Sequence, residues 1–167
     1  MKTMIRSSIP STPLDKPNLY SELQKVISAI LAGERDFIAN MANTAAMLFH
    51  TLPDLNWAGF YLFKQGQLVL GPFQGKPACI RIAIGRGVCG TAAQRRETMV
   101  VPDVHAFPGH IACDHASRSE IVIPLVFQSR LIGVMDLDSP SIDRFDRVDS
   151  EGLEAIAAFL LSGSDLP

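Results

Sequence analysis

Ile121-Val122-Ile123-Pro124-Leu125-Val126-Phe127-Gln128-Ser129-Arg130-Leu131-Ile132-Gly133-Val134-Met135-Asp136 is the clearest hairpin in the chain. Two runs rich in β-branched residues, Ile121–Phe127 and Leu131–Asp136, flank a short polar turn at Gln128-Ser129-Arg130. Upstream, Trp57–Phe63 and Leu68–Phe73 repeat the pattern around Lys64-Gln65-Gly66-Gln67. Ile80–Ile84 and Met99–Val101 read as further strands, and Gly85–Arg96 between them reads as a glycine turn opening a short helix. Helical periodicity appears at the two ends. Leu23, Val26, Ile27, Ile30 and Leu31 form one apolar stripe in a helix over about 19–32. Phe37, Ile38, Met41, Ala45, Leu48, Phe49 and Leu52 mark a second helix over about 34–52, stopped by Pro53. Leu153, Ile156, Ala157, Leu160 and Leu161 mark a last one over about 146–162. Helices, then hairpin-linked strands, then a closing helix predict an α+β fold. It has an antiparallel sheet of about six strands, with the N- and C-terminal helices packed on one face.

The chain of 167 residues suits one domain, placed at 18–167 behind a loose Ser- and Pro-bearing tail over 1–17, with no internal repeat. Hydrophobic residues are 47% and charged residues 19%, ordinary globular usage. Fifteen basic residues against 17 acidic, net −2 and without long blocks of one sign, argue against a nucleic-acid or membrane-surface binder. No apolar run reaches the about 20 residues of a membrane span, and none near the N-terminus is long enough for a signal peptide. Three cysteines are too few for a disulfide scaffold. These features predict a cytoplasmic protein, where cysteines serve as core residues, metal ligands or catalytic thiols.

Four constellations could carry chemistry. Gly85-Arg86-Gly87-Val88-Cys89-Gly90 matches the G-x-G-x-x-G pattern after a strand. Hairpin-linked strands precede it, whereas a dinucleotide fold needs parallel strands joined by crossover helices. It reads instead as a tight strand-to-helix turn, or as a helix N-terminus whose N–H groups could hold a small anion such as a carboxylate. The second is the loop at 102–118. It holds His105, His110, Cys113 and His115, enough donors for zinc but in no standard spacing. Cys113 lies on this loop between two histidines, a setting that favours the reactive thiolate.

The third is a set of acids. Asp136 and Asp138 project from the same side of one strand, with Leu137 on the other. If the hairpin turns at Gln128–Arg130, Glu120 lies across from Asp138. Three acids so gathered cannot all ionise cheaply, and at least one pKa should rise. Two Asp inside a strand are also hard to explain by folding alone. The fourth is Trp57 with Tyr61, on one face of a strand with Gly59 between them leaving room, either as pocket aromatics or as core.

Several segments together resemble the free methionine-(R)-sulfoxide reductases, enzymes built on a GAF domain. They are Asn56–Tyr61, Leu70–Gly75, Gly85–Ala92, Gly109–Asp114, Ser119–Val122 and Asp136–Ser139. The resemblance spans roughly residues 19–162 and includes all three cysteines. It implies a GAF fold and reduction of free L-methionine (R)-sulfoxide. It implies Cys113 as the catalytic cysteine, Cys79 as the resolving one, and Cys89 as a third able to join in disulfide formation. It also implies Glu120, Asp136 and Asp138 as acids of the substrate site, with Trp57 and Tyr61 as its aromatics. On this reading Cys113 attacks the sulfoxide sulfur and is left as sulfenic acid. Cys79 condenses with it to a disulfide, and a thioredoxin-type reductant restores the thiols, with no metal or organic cofactor. A homodimer is expected, by the same resemblance and because the first helix is short and needs a partner surface. Two other readings stand beside it: a GAF small-molecule sensor without turnover, which needs neither nucleophile nor resolving thiol, and a zinc protein using the 105–115 loop.

Overall fold

The computed structural model describes residues 15–109 and 115–167. Helix α1 spans Lys16–Leu31, about three residues earlier than its apolar stripe suggests. The Asp15 side chain accepts from the Asn18 N–H as N-cap, and Pro17 sits in the first turn. Proline is favoured there because its missing N–H has no intrahelical partner anyway. Helix α2 (Phe37–Thr51) is capped by Asp36 and is followed by strands β1 (Trp57–Lys64) and β2 (Gln67–Gly75). Strand β3 is only Arg81–Ala83, shorter than its apolar run. Then come α3 (Gly87–Arg95), β4 (Met99–Val101), β5 (Ser119–Phe127), β6 (Arg130–Ser139) and α4 (Arg147–Gly163).

The six strands form one sheet in the order β3-β2-β1-β6-β5-β4, and every pairing is antiparallel. No parallel crossover exists among the described residues, so the glycine motif at 85–90 does not open a dinucleotide fold. The pleat divides the sheet's side chains into two cores. Ala58, Phe60, Leu62, Ile121, Ile123, Met135 and Leu137 face α1, α2 and α4 in one buried cluster. Trp57, Tyr61, Val122 and Val134 face the other way, under α3, with Val88, Cys89, Ala92 and Ala93. The terminal helices therefore share one face as expected, and the short α3 covers part of the opposite face.

Helices α1 and α4 are joined by a polar node. Asp149, fully buried, accepts from Tyr20 Oη at 2.9 Å and Arg144 at 3.1 Å, and pairs with Lys16 Nζ at 2.6 Å. Asp149 also accepts from the Asp146 N–H, closing a capping box at the start of α4. Gly152 lets the Tyr20 ring approach, because a Cβ there would lie 2.3 Å from the ring. Asp149→Ala would leave the nearly buried Arg144 guanidinium without a carboxylate. A stability loss of about 3–5 kcal/mol is expected in urea unfolding. A loss below about 1 kcal/mol would show that the node does not hold the helices.

Candidate active site

The β5–β6 hairpin builds the site. Its turn is two residues long, Gln128 and Ser129, both with positive φ (48° and 64°). That is the primed geometry that matches strand twist. A two-residue turn alone would pair Glu120 with Leu137 and send it toward the helical core. The ladder instead slips by one residue between Leu125↔Gly133 and Val126↔Leu131, leaving Ile132 as a bulge. Beyond the bulge Glu120 faces Asp138 and Val122 faces Asp136. From the other side β1 sets Trp57 opposite Asp138 and Gly59 opposite Asp136. Glu120, Asp136, Asp138, Trp57 and Tyr61 thus share one sheet face.

Helix α3 adds a thiol. Gly85 in the turn before it and Gly87 at its first position take positive φ, and a Cβ on Gly90 would lie 2.4 Å from the Ala83 carbonyl. The glycines thus let the helix sit hard against β3, which answers the motif in structural terms. Cys89, in the first turn of α3, reaches 3.9 Å from Glu120 Oε1. Cys89 Sγ and one oxygen each of Glu120 and Asp136 lie within 4.8 Å of one another. Glu120 and Asp136 are each only 6% exposed, and Asp136 Oδ1 has no hydrogen-bond partner.

Burial dominates the electrostatics. It pushes the Glu120 carboxyl well above the usual range, with repulsion from Asp136 and then Asp138 adding to it. Burial raises Asp136 to about 7, opposed by hydrogen bonds with Cys89 and Glu120. Burial, then the charges of Asp136 and Glu120, drives the Cys89 thiol upward too. The expected rise of at least one acid is present, with desolvation ahead of like-charge repulsion as its cause.

These groups line a pocket of about 530 Å³ counting its open mouth. Its apolar wall is the Trp57 ring, stacked on Tyr61 at 5.9 Å between centroids and on Phe73 at 5.3 Å. Trp57 Nε1 donates to the Lys76 carbonyl at 3.2 Å, which fixes the indole. Gly59 leaves room for that ring, since a Cβ there would lie 2.7 Å from Trp57 Cη2 and 2.3 Å from Phe73 Cβ. Gly59→Ala is expected to cost about 1–3 kcal/mol and to alter Trp57 fluorescence. An unchanged spectrum and unfolding midpoint would mean the wall tolerates displacement. Lys76, Arg86 and Ser117 also line the pocket. The reading of the residues missed them: Lys76 and Ser117 lie outside every strand and helix, and Arg86 carried only a backbone role. Phe73 was legible as a strand residue but not as the partner of Trp57.

Of the cysteines, Cys89 is buried beside the acids, and Cys79 is half-buried in the segment before β3, packed against the α3-side core. Both are free thiols. Cys113 and His110 lie outside the described residues, so the zinc reading of that loop rests on sequence alone. His105 and His115 are exposed. Among the described residues no helix is long and apolar enough to cross a membrane.

The chain matches the GAF domain family over residues 28–161. It is 52% identical over 147 residues to the free methionine-R-sulfoxide reductase of Escherichia coli strain K12, covering 88% of this chain and 89% of that protein. The Saccharomyces cerevisiae protein of the same name is 40% identical over 158 residues, 90% of this chain and 88% of its own. The X-ray structure of the Neisseria meningitidis free methionine-R-sulfoxide reductase in complex with its substrate superposes with a TM-score of 0.89. It is 45% identical and covers 94% of this chain and 95% of that one.

Proposed function

Starting from a chain that belongs to the GAF-domain family, and within it to the free methionine-R-sulfoxide reductases, we propose that it is an oxidoreductase reducing free L-methionine (R)-sulfoxide. The observation that carries the reading is the buried pair Glu120 and Asp136, held protonatable at the floor of a pocket walled by Trp57 and Tyr61. A sulfoxide offers a polar oxygen that must accept a proton and a methyl group that prefers an apolar wall. The pocket offers both. The sensor reading gives way, because its named relatives above are reductases.

In the proposed reaction the acid cluster protonates the sulfoxide oxygen, and Cys113 thiolate attacks the sulfur. The oxygen passes to Cys113 as sulfenic acid, and methionine leaves as the reduced thioether. The Cys79 thiol then attacks the sulfenic sulfur. A disulfide forms and the oxygen departs as water. A thioredoxin-type dithiol takes up the disulfide and returns both thiols. Cys89, kept as a neutral thiol by burial, is the slower alternative for the resolving step. The charge remaining on the acid cluster attracts the substrate ammonium. The N–H groups opening α3 offer a place for its carboxylate. The site needs no cofactor for these steps. On this reading the protein works in the cytoplasm, since the disulfide cycle requires a reducing compartment, and it acts as a homodimer, as the family resemblance implies.

The test is incubation of the purified protein with resolved epimers of free methionine sulfoxide and dithiothreitol, following methionine by chromatography. Methionine should appear from the R epimer. Its absence from both epimers would overturn the assignment.

A further inference from the structure

The same corner of the fold holds a second chemical possibility that the proposed reaction does not use. Cys89 Sγ, a Glu120 oxygen and an Asp136 oxygen lie within 4.8 Å of one another, and the Cys89–Glu120 pair is 3.9 Å apart. A tetrahedral zinc ion with one sulfur at about 2.3 Å and oxygens at about 2.0–2.2 Å holds its donors roughly 3.3–3.7 Å from one another. The three donors therefore need to close by little more than an ångström. They stand on rigid supports, the first turn of α3 and two central strands, β5 and β6. A second observation points to a missing ligand. Asp136 Oδ1 is buried with no hydrogen-bond partner, in a residue 6% exposed that lines the pocket. A buried carboxylate oxygen left in this way is costly unless something occupies its lone pairs.

We propose that the reduced protein binds one thiophilic divalent cation, of the Zn²⁺ class, through Cys89, Glu120 and Asp136. The fourth position opens on the pocket and takes a water molecule. The cation replaces the thiol proton and any protons held on the two carboxyls, all of which leave to solvent. A thiolate with two carboxylates and few ligands disfavours Mg²⁺ and Ca²⁺, which take six or more oxygen donors. Because the donors also line the substrate pocket, the bound ion excludes substrate. This last clause rests on the proposed function; the metal site does not. Drawing Cys89 into a disulfide removes the sulfur donor and releases the ion, so the inhibition is tied to the reduced state.

The probe is Cd²⁺, whose thiolate complexes show an ultraviolet charge-transfer band. It is titrated into reduced full-length protein carrying Cys79→Ser and Cys113→Ser, so that Cys89 is the one thiol left. One Cd²⁺ per chain should bind with the band present. Adding Cys89→Ser should abolish the band. Asp136→Asn should weaken binding at least about tenfold, since even outer-shell losses cost that much at metal sites. Excess Mg²⁺ should not compete. If circular dichroism shows Asp136→Asn unfolded, Glu120→Gln serves in its place. A band absent from the Cys89-only protein, or an affinity unchanged by the carboxylate substitution, would overturn the site. Free methionine should weaken Cd²⁺ binding in the same titration. Cd²⁺ binding that ignores methionine would overturn the pocket's substrate assignment and leave the metal site standing.

Discussion

Cys113→Ser is expected to reduce turnover of free methionine sulfoxide to background, because a hydroxyl at neutral pH is a far weaker nucleophile than a thiolate. Retained turnover would sink the proposed chemistry. The cysteines separate further by when they act. A resolving thiol works only after the first methionine has left. Cys79→Ala should therefore release the first methionine, about one per enzyme, at the normal rate and then turn over only slowly with a protein dithiol as reductant. Dithiothreitol, small enough to reach an exposed sulfenic acid, should rescue it. Cys89 substitutes in part, so the Cys79/Cys89 double variant stalls completely where the single one is only slowed. Peptide mapping after one oxidising turnover should find Cys113 joined to Cys79, or to Cys89 after exchange. All three thiols free without added reductant would refute the cycle.

Asp136→Asn should separate activity from stability. An acid whose folded pKa is raised binds its proton more tightly in the folded state than in the unfolded one. Stability is then greatest below the unfolded carboxylate pKa near 4. It falls as pH rises to about 7, the folded value of Asp136, and levels off above. Each unit of such a shift is worth about 1.4 kcal/mol, so the penalty above neutrality is on the order of a few kcal/mol. The neutral amide does not pay it. At pH 8 Asp136→Asn should unfold at a urea concentration no lower than the wild type, and the difference should shrink or reverse by pH 5. Turnover should fall by about 10²–10⁴-fold with loss of the proton donor. Wild-type turnover itself should decline above about pH 7 as the cluster loses its proton. A variant that loses activity and stability together at pH 8 would make Asp136 a structural residue. Asp138→Asn, half-buried at the mouth, should lower turnover with little change in stability.

Much of the site was legible along the chain. Period-two alternation places Asp136 and Asp138 on one side of a strand, and Trp57 and Tyr61 on one side of another, whatever the rest of the chain does. The acids were conspicuous because nothing in a strand's own preferences calls for them. Phe73 was not legible as the support of Trp57, since its stacking on that ring depends on the β1–β2 register and on the space above Gly59. The burial of Cys89 among carboxylates was not legible either. Its sequence neighbours are Val88 and Gly90, and the acids lie more than 30 positions away.

Local sequence set the order of helices and strands, the antiparallel hairpins and the shared side from which Asp136 and Asp138 project. All of these are set by local periodicity and turn chemistry acting within a few residues. The expected pairing of Glu120 with Asp138 is present, but long-range packing reaches it by a route the turn residues do not show, a two-residue turn with a bulge in place of a three-residue turn. A two-residue turn with both φ positive would by parity have sent Glu120 to the helical face, opposite to Asp136 and Asp138. The one-residue bulge at Ile132 restores the pairing. No local preference of Ile132 announces that bulge. The hairpin must bury Ile121, Ile123, Met135 and Leu137 against α1, α2 and α4 together, and only the slipped register does so. The same requirement lays α3 over the opposite face and encloses Cys89 with the acids. Their raised proton affinities are therefore a property of long-range packing rather than of any stretch of chain.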